Sequence, residues 1–452
     1  MTAPRIAIVH ERLTEYGGSE AVVAEFMKTW PDAPVFAPIA EPQCTRTLLA
    51  AAGRHTDATA DPGAGEPRPM PVRPGAAGIS SPISAFGPGA FPGPAQPREP
   101  IANHDRAAIA GLDGMRDRAA ESSSGDARFP AVGRVHDTWL SRVHVGAARR
   151  AHAPLLPFVP RVLRGLPLHD GYDAVVISHH AFATQAALAT SAPVIAYVHS
   201  PARWAWDKGF RRQEGGGRAG QAALMALGAL ARRSELRAAP RLAHVVANSQ
   251  AVAARVRDWW GLPASVVNPP VRVERFAPDP AVVREDFFLV AGRLVPYKRP
   301  DLAIRAARRA GARLIVLGDG RFRRQLEAIA GPETTFLGSA SDEVLLDMYR
   351  RCRALLMPGV EDFGIVPVEA MACGTPVLAV GAGGALDSVL PGVSGAHVEY
   401  GSDEHVIAGF AEALRDFDPG RYDAAAIRAH ASTFAPEAFR KRIADIVSQN
   451  IR

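Results

Sequence analysis

Two cationic side chains, Arg293 and Lys298, lie in the segment Gly292-Arg293-Leu294-Val295-Pro296-Tyr297-Lys298-Arg299. A predicted strand precedes this segment, and Pro300 fits the first position of a following helix. An Arg and a Lys so placed could bring two positive charges to one anion, such as a diphosphate. Lys298 stands out because only four of the 52 basic residues are Lys. The alternative is a solvated turn that binds nothing.

Two carboxylates, Glu361 and Glu369, stand eight residues apart in Glu361-Asp362-Phe363-Gly364-Ile365-Val366-Pro367-Val368-Glu369. Pro367 is typical of a helix start and Gly374 of a helix end, which predicts a helix over 367–373 with Glu369 in its first turn. Carboxylates here could accept hydrogen bonds from sugar or ribose hydroxyls. The residues between them would form the pocket floor. For Glu369 the alternative is an acid that only favours the helix dipole.

Two glycine-rich turns follow predicted strands. Gly17 and Gly18 stand before a predicted helix, where the backbone can approach a ligand closely and free N–H groups can face an anion. Gly383 and Gly384 end the segment Gly381-Ala382-Gly383-Gly384, a second potential donor loop. At both places a plain turn is the alternative.

His199 follows a predicted strand and opens the segment His199-Ser200-Pro201-Ala202-Arg203-Trp204-Ala205-Trp206-Asp207. Its position at the end of a strand predicts that it faces a cleft, and the alternative is a structural histidine. His179 and His180 follow another strand without carboxylate partners, so we expect no metal site.

Strands alternate with helices in both halves of the chain, which predicts an α/β fold with two doubly wound parallel sheets facing across a cleft. Ligands in such sheets bind at the carboxyl ends of the strands. Predicted strands are 6–9, 174–177, 194–198, 244–247, 265–267, 287–291, 313–317, 335–337, 354–357 and 376–379. Predicted helices are 19–30, 220–238, 250–260, 300–310, 321–330, 342–351 and 367–373.

The predicted organisation has a first domain over 1–272, a second over 273–427 and a C-terminal helix within 428–452 that packs back toward the first domain. A stretch of 40 residues, 61–100, contains 11 Pro and 7 Gly. Such a composition cannot build a packed core, so we predict a disordered insertion over about 54–132.

The amino-acid composition argues against several classes of protein. The 52 basic and 46 acidic residues leave a charge of +6, but no basic run interleaves with aromatics, which argues against nucleic-acid binding. Three Cys are too few for a disulfide framework. Met1 to Arg5 lead directly into the first strand, so we expect no signal peptide and a cytoplasmic location. The Arg-rich stretches 143–164 and 211–237 indicate either a solvated surface or a peripheral contact with an anionic membrane.

Taken together, these motifs resemble family 4 glycosyltransferases, which have the GT-B fold. The resemblance is carried by Glu361-x7-Glu369 and by Gly-Arg-Leu-Val-Pro-Tyr-Lys-Arg, and it covers most of the chain outside the insertion. The segments 9–14, 172–178 and 199–207 are similar to a subgroup of mannosyltransferase-like enzymes of bacterial surface polysaccharide biosynthesis. The first loop departs from the family pattern, since Glu11-Arg12-Leu13 replaces the frequent Asp-Trp-Leu.

The resemblance implies transfer of a hexose from a nucleotide diphosphate sugar to an acceptor hydroxyl, with retention at the anomeric carbon. Arg293 and Lys298 would bind the diphosphate and stabilise the leaving group. Glu361 would orient the donor sugar, Glu369 would bind ribose, and His199 would lie near sugar and acceptor. The other implied donor-site residues are Gly17, Gly18, Gly292, Phe363, Gly364, Ile365, Val366, Gly383 and Gly384, and the acceptor-side residues are Arg203 and Trp204.

The implied partners are a nucleotide sugar, with GDP-mannose suggested by the subgroup, and a glycan or lipid-linked acceptor, with no further cofactor. A dehydrogenase would need Gly-x-Gly-x-x-Gly after the first strand, and Tyr16-Gly17-Gly18-Ser19-Glu20 lacks it. A non-catalytic protein that kept the fold stays open as an alternative.

Overall fold

A computed structural model describes residues 3–54, 131–132, 135–146, 153–169, 171–214 and 217–451. The first lobe is built on an eight-stranded sheet. Its strands are β1 Ile6–His10, β2 Val35–Phe36, β3 Ala131–Val132, β4 Val135–His136, β5 Ala174–His179, β6 Val194–Val198, β7 His244–Ala247 and β8 Ser265–Val266. They lie in the order β3-β4-β2-β1-β5-β6-β7-β8, and every pairing is parallel except β3 with β4.

Helices cover both faces of this sheet. They are α1 Gly18–Thr29, α2 Pro42–Ala51, α3 Trp139–Gly146, α4 Val159–Arg164, α5 Arg203–Trp206, α6 Lys208–Glu214, α7 Gly217–Ala238 and α8 Gln250–Trp260, with short 3-10 helices at Ala153–Phe158, Ala183–Leu188 and Ala239–Arg241. Every residue of β1 and β5 is buried, as expected of parallel strands covered on two faces.

The second lobe has six parallel strands in the order β11-β10-β9-β12-β13-β14. These are β9 Phe288–Ala291, β10 Leu314–Leu317, β11 Thr334–Gly338, β12 Leu355–Met357, β13 Val377–Val380 and β14 Gly395–Val398. Its helices are α9 Pro300–Ala310, α10 Arg323–Ile329, α11 Asp342–Arg351, α12 Ile365–Ala372, α13 Ala385–Ser388, α14 Asp403–Arg415 and α15 Ala424–Ser432, with 3-10 helices at Pro296–Lys298 and Pro419–Arg421. Alternate residues of β9 enter opposite cores, Leu289 on one face and Phe288 and Val290 on the other.

The last helix, α16 Pro436–Asn450, returns to the first lobe. Phe439 stacks on Phe26 of α1 at 5.8 Å between ring centroids and meets Tyr197 of β6 edge-on. The Arg440 guanidinium pairs with Glu25 of α1. The chain therefore crosses between the lobes twice. The two crossings touch, because the amide of Val271 on the first donates to the carbonyl of Phe434 on the second, at 2.9 Å.

The α/β class and the two doubly wound sheets are confirmed, and three details differ from the sequence prediction. The strand β3 lies within the predicted insertion, while residues 55–130, which hold most of that insertion, lie outside the described residues. The helix α15 runs across the predicted boundary at 427, because Ile427 and Ala431 both pack into the second-lobe core. The elements that were not predicted are β2, α2, β4, α5, α6, α13, β14, α14 and α15. The boundary at 272 stays a prediction.

The described part of the chain contains no helix that is both long enough and apolar enough to cross a bilayer.

We predict that Phe439→Ala destabilises the protein by about 3–5 kcal/mol, because it opens a cavity between α16 and the first-lobe core. Phe439 is 3% exposed, whereas Phe158 is 48% exposed and serves as the matched control. Urea denaturation followed by tryptophan fluorescence compares the two variants. Equal unfolding midpoints for Phe439→Ala and Phe158→Ala would show that the returning helix adds little to stability.

Candidate active site

Both lobes line one cleft cavity of about 440 Å³. The first lobe contributes four of the predicted site residues, and the second lobe contributes four more. These are Gly18, His199, Arg203 and Trp204 from the first lobe, and Glu361, Phe363, Gly364 and Ile365 from the second. A smaller recess of about 30 Å³ in the second lobe is lined by Gly292, Arg293, Lys298 and Val366, and it shares Glu361 with the main cavity.

Lys298 and Glu361 form an ion pair at the junction of these two spaces, with 2.9 Å between Nζ and Oε1. Burial alone would lower the pKa of Lys298, but the Glu361 carboxylate outweighs it, helped by Tyr297, and the pKa is raised. Lys298 is therefore a cation at neutral pH. It has three N–H donors, and one of them reaches Glu361, so two stay available for an anionic ligand.

The loop that carries Lys298 is held in place by close backbone packing against Gly359 and by the hydrogen-bonded side chain of Arg299. A Cβ at Gly359 would lie 2.5 Å from the Lys298 carbonyl oxygen, so only glycine admits this approach. Arg299 is the one non-glycine residue with positive φ, 54°, in the described ranges. Its guanidinium bonds to Asp301 and Asp403 at 2.6–3.1 Å, which stabilises the bend. The side chain of Arg293 in the same loop is exposed at the recess.

The loop that carries Glu361 rests on the second glycine turn. The amide of Gly384 donates to the Glu361 carbonyl at 2.9 Å, and a Cβ at Gly383 or Gly384 would collide with the backbone of residues 361–363. Neither glycine lines the cavity or the recess. The prediction that they bind a donor with free amides is therefore wrong for Gly384, whose amide holds the loop instead.

The helix α12 begins at Ile365, two residues before the predicted Pro367, because Gly364 adopts φ 84° and turns the chain into the helix. Glu369 accordingly lies in the second helical turn, and the prediction of a first-turn position is wrong. Its carboxylate accepts a hydrogen bond from the Tyr349 hydroxyl at 3.2 Å and lines neither the cavity nor the recess. Burial raises the pKa of Glu369 to about 7, so no helix-dipole stabilisation of its charge is evident.

The first glycine turn is only partly free for a ligand. Gly18 lines the cavity, whereas the amide of Gly17 donates to Glu20 Oε2 at 3.0 Å and is already used. The prediction that both amides serve a ligand is therefore wrong for Gly17. Its hydrogen bond fixes the entry into α1 in place of an external anion.

A buried carboxylate, Glu11, also lines the cavity and was not predicted as a site residue. Its Oε2 accepts the amides of Ala181 and Phe182 at 2.7 and 2.8 Å, while Oε1 has no partner in the described structure. Burial alone would raise the pKa of Glu11, but the Arg12 charge and these amides hold it below its usual value. The carboxylate is thus ionised and has one oxygen unused.

The segment after β6 is anchored by a second buried carboxylate that the sequence did not reveal. Glu235 of α7 is fully buried and accepts from His179 at 3.1 Å, from the amide of Ala202 at 2.8 Å, and from the indoles of Trp206 and Trp260. Four donors on three elements therefore fix where His199 and Arg203 enter the cleft.

Asp362 of the second lobe faces two arginines of the first. Arg203 Nη1 lies 3.4 Å from its Oδ1, and Arg255 Nη1 bonds the same oxygen. Arg203 also donates to the Val360 carbonyl at 3.3 Å and covers the ring of Phe210. Arg203 thus lines the cavity and bridges the lobes as well, a role that sequence spacing could not reveal.

We predict that Asp362→Asn loosens the interlobe contact and lowers stability by about 1–2 kcal/mol, because it leaves two part-buried guanidinium groups facing each other. Small-angle X-ray scattering should give a larger radius of gyration than for the native chain. Asp258→Asn is the matched control, since Asp258 pairs with exposed Arg257 within one lobe. A native radius of gyration in Asp362→Asn would mean that other contacts hold the cleft.

Glu369 predicts a pH dependence of stability. Its folded pKa of about 7 exceeds its ordinary value of 4.5, so its contribution is fully present below pH 4.5 and is lost as pH rises through 7. The loss is at most about 3 kcal/mol. The urea midpoint of Glu369→Gln, relative to that of the native chain, should therefore be higher at pH 8 than at pH 5. The exposed Glu404→Gln serves as control and should show no such shift, and equal shifts in both variants would contradict the assignment.

Comparisons with known proteins agree with this architecture. Residues 273–428 match the sequence-family model "Glycosyl transferases group 1", and residues 116–275 match "Glycosyltransferase Family 4". D-inositol 3-phosphate glycosyltransferase of Kribbella flavida is 37% identical over 34% of this chain and 43% of its own length. The same enzyme of Mycobacterium bovis is 30% identical over 63% of each chain. The chain thus spans less than two thirds of these relatives.

Two solved structures share the fold at low sequence identity. Anabaena Alr3699/HepE, solved in complex with UDP, is 17% identical, with a TM-score of 0.60 over 98% of this chain and all of its own. Sucrose-phosphate synthase from Thermosynechococcus elongatus is 16% identical, with a TM-score of 0.61 over 99% of both chains. Since the two family models together extend from residue 116 to residue 428, more than half of the sequence, the chain belongs to the family 4 glycosyltransferases and has the GT-B fold.

Proposed function

We propose that the protein transfers a hexose from a nucleotide diphosphate sugar to a hydroxyl of a glycan or lipid-linked acceptor, with retention at the anomeric carbon. The observation that carries the proposal is the Lys298–Glu361 pair, which joins the recess in the second lobe to the interlobe cavity. The charged atoms of this cation and this carboxylate lie 2.9 Å apart, and a sugar diphosphate offers phosphate oxygens to the one and hydroxyls to the other.

The donor diphosphate would lie at the recess, between Arg293 and Lys298. Negative charge grows on the departing phosphate as the glycosyl bond breaks, and fixed cations in a water-poor cleft stabilise it. The two free N–H groups of Lys298 and the exposed guanidinium of Arg293 suit that task. HepE was solved in complex with UDP and with UDP-glucose, which supports a nucleotide sugar donor, and GDP-mannose remains the donor that the subgroup resemblance suggests.

Glu361 would orient the donor sugar through its hydroxyls, while the apolar stretch from Phe363 to Val366 forms the adjoining wall. Glu369 is proposed to help hold the nucleotide through its ribose. Glu369 does not line the cavity, so this role requires the donor to extend beyond the residues that form the cavity wall. We assign no covalent nucleophile, in keeping with front-face substitution assisted by the leaving phosphate.

The acceptor would approach from the first lobe, where Glu11, His199, Arg203 and Trp204 line the cavity. The unpartnered Oε1 of Glu11 would accept a hydrogen bond from an acceptor hydroxyl. A buried carboxylate oxygen without a hydrogen-bond partner is energetically costly. Such a bond therefore favours acceptors that donate a hydroxyl there over acceptors that lack one. Because the curated relatives act on D-inositol 3-phosphate by name, phosphorylated polyols belong in any acceptor panel.

A panel of nucleotide sugars tests the function. Thermal shift and isothermal calorimetry with GDP-mannose, UDP-glucose and UDP-N-acetylglucosamine identify the donor, and release of free nucleotide identifies turnover. One donor should bind and release nucleotide, and faster release is expected with a hydroxylated acceptor. Donor binding without turnover across the acceptor panel would favour the non-catalytic alternative.

We predict that Lys298→Ala lowers turnover by roughly 100-fold or more, because the leaving phosphate loses its cation. Lys208→Ala removes an exposed lysine of the first lobe and is the matched control, with an expected turnover close to that of the native chain. Steady-state nucleotide release measures both variants with the donor found in the panel. Native turnover in Lys298→Ala would remove this residue from the mechanism.

A further inference from the structure

A line of hydrogen bonds crosses the first lobe from α1 to the cleft, and we call it the histidine chain. Glu20 Oε1 lies 3.1 Å from His10 Nε2, His10 Nδ1 lies 3.0 Å from Ser178 Oγ, and Ser178 Oγ lies 2.9 Å from His199 Nε2. The first three residues are buried, and His199 lines the cavity. His10 and Ser178 are register partners on β1 and β5, so the sheet itself sets their spacing.

The carboxylate end of the histidine chain is ionised. Burial alone would raise the pKa of Glu20, but the hydrogen bonds from His10 and from the Ser19 hydroxyl, at 3.1 and 2.8 Å, hold it below its usual value. An ionised carboxylate only accepts hydrogen bonds. The proton between Glu20 and His10 therefore resides on His10 Nε2.

The remaining protons follow from the single proton of Ser178. When His10 is neutral, its Nδ1 has a lone pair, so the Ser178 hydroxyl donates to it and Ser178 Oγ must accept from His199. His199 then carries its proton on Nε2. Its Nδ1, which has no hydrogen bond in the described structure, presents a lone pair.

We propose that Glu20, His10 and Ser178 are positioning residues that fix the tautomer of His199, so that this ring offers a hydrogen-bond acceptor to a ligand hydroxyl in the cleft. The proton arrangement stands independently of the proposed transferase activity, and only its effect on turnover rests on that function. None of the three residues was predicted as part of the site.

A proton added to His10 reverses the arrangement. His10 Nδ1 then donates to Ser178, the Ser178 hydroxyl donates to His199 Nε2, and the proton of His199 moves to Nδ1. The groups that face His10 are Glu20 of α1, Ser178 of β5 and His180, whose ring lies edge-on at 6.0 Å. Charges of His10, Arg12 and His179 act on His180, and those of His10 and Glu20 act on His199. One protonation at His10 thus turns His199 from a hydrogen-bond acceptor into a donor.

His199 itself stays neutral during this change. Burial lowers its pKa well below the usual range, and so do the neighbouring rings of His180 and His10. The rings of His180 and His199 are stacked, with centroids 4.5 Å apart and planes within 10°. A positive charge on His199 would be unfavourable beside the stacked ring of His180. His199 therefore responds to protonation of His10 by a change of tautomer and does not take up a proton itself.

Nitrogen NMR of the full chain labelled at its 14 histidines tests the proposal directly, with His199→Gln used to assign the His199 signals. Long-range proton–nitrogen spectra show which ring nitrogen bears the proton. We expect Nε2–H on His199 while His10 is neutral, and a change to Nδ1–H when His10 takes up a proton. A Nδ1–H tautomer throughout, or direct protonation of His199, would overturn the proposal.

Two variants separate positioning from simple loss of packing. Ser178→Ala should abolish the fixed tautomer and the coupling to His10, whereas Ser178→Thr keeps the hydroxyl and should retain both. Ser141→Ala removes another buried serine hydroxyl of the same lobe, one that accepts the amide of Ala40 at 2.8 Å, and should leave the His199 spectrum unchanged. A native His199 spectrum in Ser178→Ala would also overturn the proposal.

Turnover supplies a second readout once a donor is known. Ser178→Ala should lower the kcat/KM of the acceptor by roughly 10-fold to 100-fold and alter the pH profile of that constant, while the Kd of the donor stays unchanged. If no nucleotide sugar binds, the transferase function fails while the spectra still decide the proton arrangement. If the donor binds and the pH profile is unaltered in Ser178→Ala, the positioning role fails alone.

Discussion

The main charged contact between the lobes is that of one carboxylate of the second lobe, Asp362, with two guanidinium groups of the first. Arg203 and Arg255 come from different helices, and both reach the same oxygen. The aromatic contact between Phe210 and Tyr297, and the amide of Gln250 that donates to Asp387 at 3.0 Å, lie on the same boundary. The guanidinium groups of Arg203 and Arg255 repel each other within the first lobe, and Asp362 offsets part of that repulsion when the lobes face each other across the shared cavity.

Within the second lobe, chemistry depends on loops held by close backbone approach. Lys298 and Glu361 come from segments 63 residues apart, yet their charged atoms lie 2.9 Å apart. Gly359 lies under one loop, and Gly384 lies under the other. Each loop is therefore fixed before any ligand binds, which reduces the ordering that binding requires. Gly359 and Gly384 thus support the site and do not line its surface.

Local patterns in the sequence predicted the alternation of strands and helices well, because buried parallel strands read as short apolar runs such as Ile6-Ala7-Ile8-Val9. They also placed Lys298, Glu361 and His199 at strand ends. Partners distant in the chain could not be predicted this way. Glu235, Arg255 and Ser178 act through contacts set by tertiary packing, and nothing in their local sequence distinguishes them from ordinary polar residues. The start of α12 was misjudged because Gly364, three residues ahead of Pro367, turns the chain into the helix.

The double crossing between the lobes limits how this molecule can move. A single linker would allow the two lobes to twist as well as bend relative to each other. Here the segments at Val271 and Phe434 are hydrogen-bonded to each other, so the two connections are held together. Because two joined connections resist twisting more than bending, we expect any opening of the cleft to be a hinge motion that keeps the same faces of the lobes opposite each other.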